Sequence, residues 1–159
     1  RLLNHTGRAR IVWAHAGWDN IGERTVALMR RLLRDHPNLS MNIKLRGGNR
    51  PNRPLDASGR LDPEWATLLR EFPTRFTIGT DVKYPDDSLD PLDSSRALLD
   101  QLPPGLARLI GEGNAARIYN LDRRLICHDA GTRGARSLQV ELGALAGHLA
   151  HGDALGPCR

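Results

Sequence analysis

Residues 9–19 read ARIVWAHAGWD, an apolar run that ends on a single histidine and a turn of small residues. If this stretch is a strand, its side chains alternate, so Ile11, Trp13 and His15 share one side while Val12, Ala14 and Ala16 share the other. Both faces are then apolar. A strand of that kind belongs to a parallel sheet covered by helices, and in such sheets polar residues at the carboxyl end of a strand are usually where the chemistry sits. His15 is such a residue. Two readings of it stand at this point: a functional group, or a core histidine bonded to a neighbouring carbonyl.

Downstream of this strand, helical and strand patterns alternate. Gly22 to His36 sets Val26, Met29, Leu32 and Leu33 at helical spacing, with arginines for the wet face, and Pro37 ends the helix. Leu39 to Leu45 alternates strictly, with Leu39, Met41, Ile43 and Leu45 on one face and Ser40, Asn42 and Lys44 on the other. A polar face needs partners or water, so Asn42 and Lys44 are read either as facing a cleft, in contact with substrate, or as the wet side of a half-exposed strand. Arg46 to Gly59 has the composition of a long loop, which would overhang any site at the strand's carboxyl end. Asp62-Pro63 opens a further helix with the stripe Trp65, Leu68, Leu69 and Phe72. A third strand follows from Phe76 and ends on Asp81, an aspartate that either caps the next turn or does chemistry.

Composition narrows the function classes. The chain has 159 residues and a net charge of +5, with 40% hydrophobic residues, enough for a real core. Its 23 basic residues are arginines except for Lys44 and Lys83, and they are interleaved with acids rather than gathered in a block. With few aromatics as well, this argues against nucleic acid as a partner. No run is long and apolar enough for a membrane span. The acidic stretch Asp86 to Asp93 lacks the glycine and terminal glutamate of a calcium loop. Cys127 and Cys158 show no zinc-site spacing, and a disulfide between them is open. The chain opens on Arg1, which suggests a piece of a longer protein and leaves the compartment open between cytoplasm, slightly favoured, and periplasm.

Four stretches, taken together, resemble the amidohydrolase-related metal-dependent hydrolases. WAHAG at 13–17 is similar to that family's sixth-strand histidine motif and HPNLSMNIK at 36–44 to its seventh strand. RFTIGTD at 75–81 resembles its eighth strand, which ends on a metal-binding aspartate, and GEGNAARIYNL at 111–121 resembles its closing helix. The separation of His15 from Asp81 matches two β/α units of roughly 30 residues each. The resemblance covers residues 8–122. It implies an α/β chain forming part of a (β/α)8 TIM barrel, strands six to eight with their helices. Residues 1–122 would be that part and 123–159 a C-terminal tail of no assigned role.

What the resemblance implies about function follows the same residues. Asp81 would bind a divalent metal and take the proton from the attacking water, and His15 would bind the metal or orient the water and the developing oxyanion. A divalent ion lowers the pKa of bound water from about 16 toward 7, which is why a carboxylate and an imidazole suit this chemistry. Zinc is the expected ion, with manganese as the alternative, and the reaction is cleavage of an amide, ester or lactone bond in a small-molecule substrate. Lys44 and Asn42, expected as substrate contacts, rest on strand-face geometry and not on a motif. The family's His-x-His pair and fifth-strand histidine have no counterpart here. The chain is therefore expected to need a missing N-terminal half of the barrel, and self-association stays open. The alternatives are a decarboxylase of the same family or a non-catalytic binding module. His148 and His151 sit three apart and would share a helix face, but no third ligand is evident near them in sequence.

Overall fold

The computed structural model describes residues 3, 7, 9–45, 51–82, 89–121 and 123–158. Residues 46–50 of the loop read at Arg46–Gly59, and 86–88 of the acidic stretch, lie outside them. The chain divides into two units, Arg1–Asn114 and Ala115–Arg159.

The first unit is built on a three-stranded sheet in which β1 (Ile11–Ala16), β2 (Leu39–Lys44) and β3 (Phe76–Gly79) lie side by side in chain order. Both pairings are parallel. Parallel neighbours need crossovers, and α1 (Val26–Asp35) and α2 (Pro63–Glu71) provide them. The helix starts are set by side chains that accept otherwise unpaired N–H groups. Thr25 Oγ1 accepts from Leu28 N at 3.1 Å, and Asp62 Oδ1 accepts from Glu64 N at 2.8 Å with Pro63 at the first helical position. α1 thus begins later than Gly22, because Asp19 folds residues 19–24 into a turn of their own.

One face of the sheet carries the core. Met41, Ile43 and Phe76 are fully buried, together with Met29 and Leu33 of α1 and Trp65, Leu68 and Leu69 of α2. Trp65 meets Phe76 edge to face, with ring centroids 6.3 Å apart. Each such side chain contributes roughly 1.5–3 kcal/mol by leaving water, which makes this face the main source of the unit's stability. Arg75, just before β3, donates to the carbonyls of Leu39 and His36 and ties the start of β2 to it. The unit closes with α3 (Asp90–Leu99), α4 (Pro104–Arg108) and a π-helical turn at Leu109–Gly113. Asn114 has helical dihedrals and serves as a tether: its amide donates to Phe76 O at 2.7 Å and Pro73 O at 2.8 Å.

The second unit overturns the expected fold class. After α5 (Asn114–Tyr119), β4 (Arg123–His128) pairs antiparallel with β5 (Arg136–Glu141) and with β6 (Ala154–Leu155), in the order β5-β4-β6. A (β/α)8 barrel is made of parallel strands only. The architecture is therefore a mixed α/β chain with a parallel three-stranded sheet and a separate antiparallel one, and not strands six to eight of a TIM barrel. The reason lies in the connections. Asp129 and Gly131, both at positive φ, turn β4 directly back into β5, and a short hairpin link can only join antiparallel strands. α6 (Leu142–Ala150) links β5 to β6, and a disulfide joins Cys127 on β4 to Cys158 beyond β6.

Candidate functional site

The carboxyl ends of the three parallel strands bring His15, Lys44 and Asp81 together. Plain alternation would not do this. Ile11 pairs with Leu39 and Trp13 with Met41, so a regular β1 would turn His15 toward the core side with them. Instead Trp13 pairs with Met41 and Ala16 with Ile43, which leaves one extra residue on β1. His15 sits in that bulge with φ 64° and is re-aimed toward β3. Asp81 lies two residues beyond the end of β3, also left-handed at φ 53°. The strand read through Asp81 stops at Gly79, so the left-handed backbone at Asp81 rather than alternation sets the direction of its carboxylate.

Around Asp81 Oδ2 the contacts are close. Lys44 Nζ, on a side chain only 7% exposed, donates to that oxygen, and His15 Nε2 lies 3.9 Å from it. The Lys44 ammonium also stands over the ring of Trp18, 4.5 Å from its centroid. Asn42 is directed elsewhere: its amide donates to Thr77 Oγ1 at 3.0 Å and rests against Gly79, where a Cβ would approach it to 3.1 Å. Lys44 lines a cavity of about 220 Å³ together with Gly17, Arg53, Asp56 and Ser94. Gly17 is required there, since φ is +82° and a Cβ would lie 2.7 Å from Pro54 Cδ.

Sequence reasoning missed the groups that hold this end of the sheet in shape. Asp19 is fully buried, and its carboxylate accepts from the backbone of Ile21, Gly22 and Arg24 and from Asn52 Nδ2 at 2.7 Å. Burial acts to raise its pKa, but the Asn52 amide and the Ile21, Arg24 and Gly22 N–H groups outweigh it and hold it at about 2. Arg24 in turn donates to the backbone carbonyl of Trp18 at 2.9 Å, the residue whose ring lies under Lys44. The signal available in sequence was the run of Asp19, Asn20 and Gly22 after a strand, an Asx-type turn.

A zinc ion at His15 and Asp81, which the resemblance implies, does not fit the residues present. A catalytic zinc takes at least three protein ligands, and among the described residues His15 and Asp81 supply two at this end of the sheet. The ammonium of Lys44 occupies the carboxylate oxygen that a cation would take.

Among the described residues, a group that could hold a metal ion lies instead in the second unit: His128, His148 and Asp153, each offering a ligand atom within 4.8 Å of the others. His128 ends β4, His148 is in the last turn of α6, and Asp153 precedes β6. The His128 imidazole is foremost in holding the Asp153 carboxyl down at about 2; burial opposes it, while His148 and the Asp129 N–H assist. His151, the residue paired with His148 in the sequence, is exposed and outside the group. No family model matches the chain, and no curated protein or solved structure matches it either.

Proposed function

We propose that the carboxyl end of the parallel sheet is a hydrolytic site acting on an amide, ester or lactone bond of a small molecule that carries an anionic group. Asp81 accepts the proton of the attacking water as its oxygen bonds to the carbonyl carbon. The carbon–nitrogen or carbon–oxygen bond then breaks, and the leaving group takes the proton back from Asp81. His15 orients the water or donates to the developing oxyanion, and Lys44, with Arg53 along the same cavity, attracts the substrate's anionic group. No step runs through a metal ion.

The observation that carries this reading is the convergence of His15, Lys44 and Asp81, one from each strand end, on a single carboxylate oxygen. Two of the three sit in left-handed backbone conformations that cost energy, and such strain gathers at functional sites. The motif resemblance to metal-dependent hydrolases adds support for hydrolysis, though not for the metal.

A panel of amide, ester and lactone substrates bearing a carboxylate tests it on the full chain. Asp81→Asn should lower kcat by about a hundredfold or more, the contribution of a general base. Lys44→Met should raise KM for anionic substrates more than for neutral ones. Normal turnover by Asp81→Asn would remove that residue from the reaction. Binding of the anions without turnover would make the chain a binding module.

A further inference from the structure

The second unit has a buried carboxylate, Asp153, whose side-chain partners among the described residues are histidines. Asp153 is 2% exposed in its side chain, and among the described residues neither a lysine nor an arginine pairs with it, in a chain with 23 basic residues. A buried carboxylate is costly unless a cation or several hydrogen bonds compensate it. What faces it is a pair of imidazoles: His128 Nδ1 at 2.9 Å and His148 Nδ1 at 2.8 Å, both on Oδ2. The other oxygen accepts the Asp129 N–H at 3.0 Å, which fixes the carboxylate so that Oδ2 points between the two rings.

We propose that His128 Nδ1, His148 Nδ1 and an Asp153 carboxylate oxygen form a binding site for a borderline divalent cation, zinc foremost, with water in the remaining position. Two imidazoles and one carboxylate are a donor set suited to zinc, and three protein ligands with an open fourth place are a recurrent zinc arrangement. Ligand atoms around a tetrahedral zinc at about 2.0–2.1 Å stand roughly 3.3 Å apart, so the two nitrogen–oxygen spacings, 2.9 and 2.8 Å, need to open by about half an ångström while all three ligand atoms already lie within 4.8 Å of one another. The surroundings match this mode of ligation. If His128 binds through Nδ1, its proton is on Nε2, and Asp129 Oδ2 stands 3.4 Å from that nitrogen to receive it. The rings cross at 85° with centroids 5.9 Å apart, and both side chains are a little over a quarter exposed, which leaves a way in for the ion.

The three ligands come from separate places in the chain, and the Cys127–Cys158 disulfide encloses His128, His148 and Asp153 in one closed loop. Cys127 is the immediate neighbour of His128, so the crosslink holds the ligands close before the ion arrives and reduces the ordering that binding must supply.

Zinc titration of the oxidised full chain, with bound metal measured by equilibrium dialysis and elemental analysis, tests the site. One equivalent should bind. His128→Gln and His148→Gln should each weaken binding by about a hundredfold or more, since each removes a direct ligand. His151→Gln, on an exposed residue three positions along, should leave affinity unchanged, as should Asp81→Asn in the other unit. Cobalt substituted in the unaltered chain should give the intense absorption of a four-coordinate ion, a readout independent of whether the glutamine variants fold. Absence of bound zinc, or undiminished binding in both glutamine variants, would overturn the proposal and leave a hydrogen-bonded triad. Loss of the equivalent in Asp81→Asn would move the metal to the parallel sheet and overturn both this assignment and the metal-free reading of that site.

Discussion

At the residue scale, His15 and Asp81 share a feature that side-chain type alone does not require: both hold positive φ. For a residue with a Cβ, the left-handed region costs roughly 1–2 kcal/mol, and asparagine and aspartate bear it better than most. His15→Gly should be more stable than His15→Ala by about 1 kcal/mol, since both lose the imidazole and only one keeps the strain; denaturant midpoints measure it. Equal stability would mean that the bulge on β1 is not strained. Asp19 supplies a second test. Its carboxyl protonates near 3.8 in the unfolded chain and only near 2 in the native one, so falling pH favours the unfolded state between those values. Its stabilisation is complete above that window and is lost as pH drops through it. Asn52→Ala removes one of the groups that hold Asp19 ionised, so acid unfolding of that variant, followed by circular dichroism, should begin at higher pH than in the unaltered chain.

Among the elements, the helices and strands differ in how their ends are defined. α2 begins where Asp62 and Pro63 say it should, because capping and the fixed φ of proline act within a few residues. The acceptor and the N–H groups it satisfies are neighbours in the chain. β1 and β3 depend on partners far away in sequence. The bulge that turns His15 exists only against β2, and the early end of β3 follows from its four paired positions on β2. The same distinction explains Asn114, whose short polar side chain before a helical stretch reads as a cap but bonds to carbonyls around β3, 38 and 41 residues earlier.

The whole molecule has two units with different sources of stability. The first rests on an apolar core, whereas α6 of the second has no buried residue, so that unit relies more heavily on its crosslink. Cys127 and Cys158 are 31 residues apart, and closing a loop of that length stabilises a fold by about 3–4 kcal/mol on chain-entropy grounds. Reduction should therefore loosen the second unit first, seen as faster amide exchange along β4. Trp13, Trp18 and Trp65 all lie in the first unit, so the melt followed by tryptophan fluorescence should move little. A fluorescence-detected midpoint that falls together with the β4 amide protection would mean that the units unfold as one.

By itself the sequence determined the parallel β–α–β–α–β run of residues 11–79, since strand and helix periodicities are local patterns and crossover helices force parallel neighbours. It also singled out His15, Lys44 and Asp81, because polar residues at the ends of apolar strands stand out. It did not determine what those residues do to one another. That Lys44 takes the oxygen of Asp81, and that Asn42 turns to Thr77, depends on a bulge and a register between segments dozens of residues apart. Only the tertiary structure decided the fold of residues 123–158 and the grouping of His128, His148 and Asp153. Antiparallel pairing set by a hairpin turn, a helix carrying His148 back past β4 and a disulfide between distant cysteines are non-local contacts, and no local periodicity encodes them.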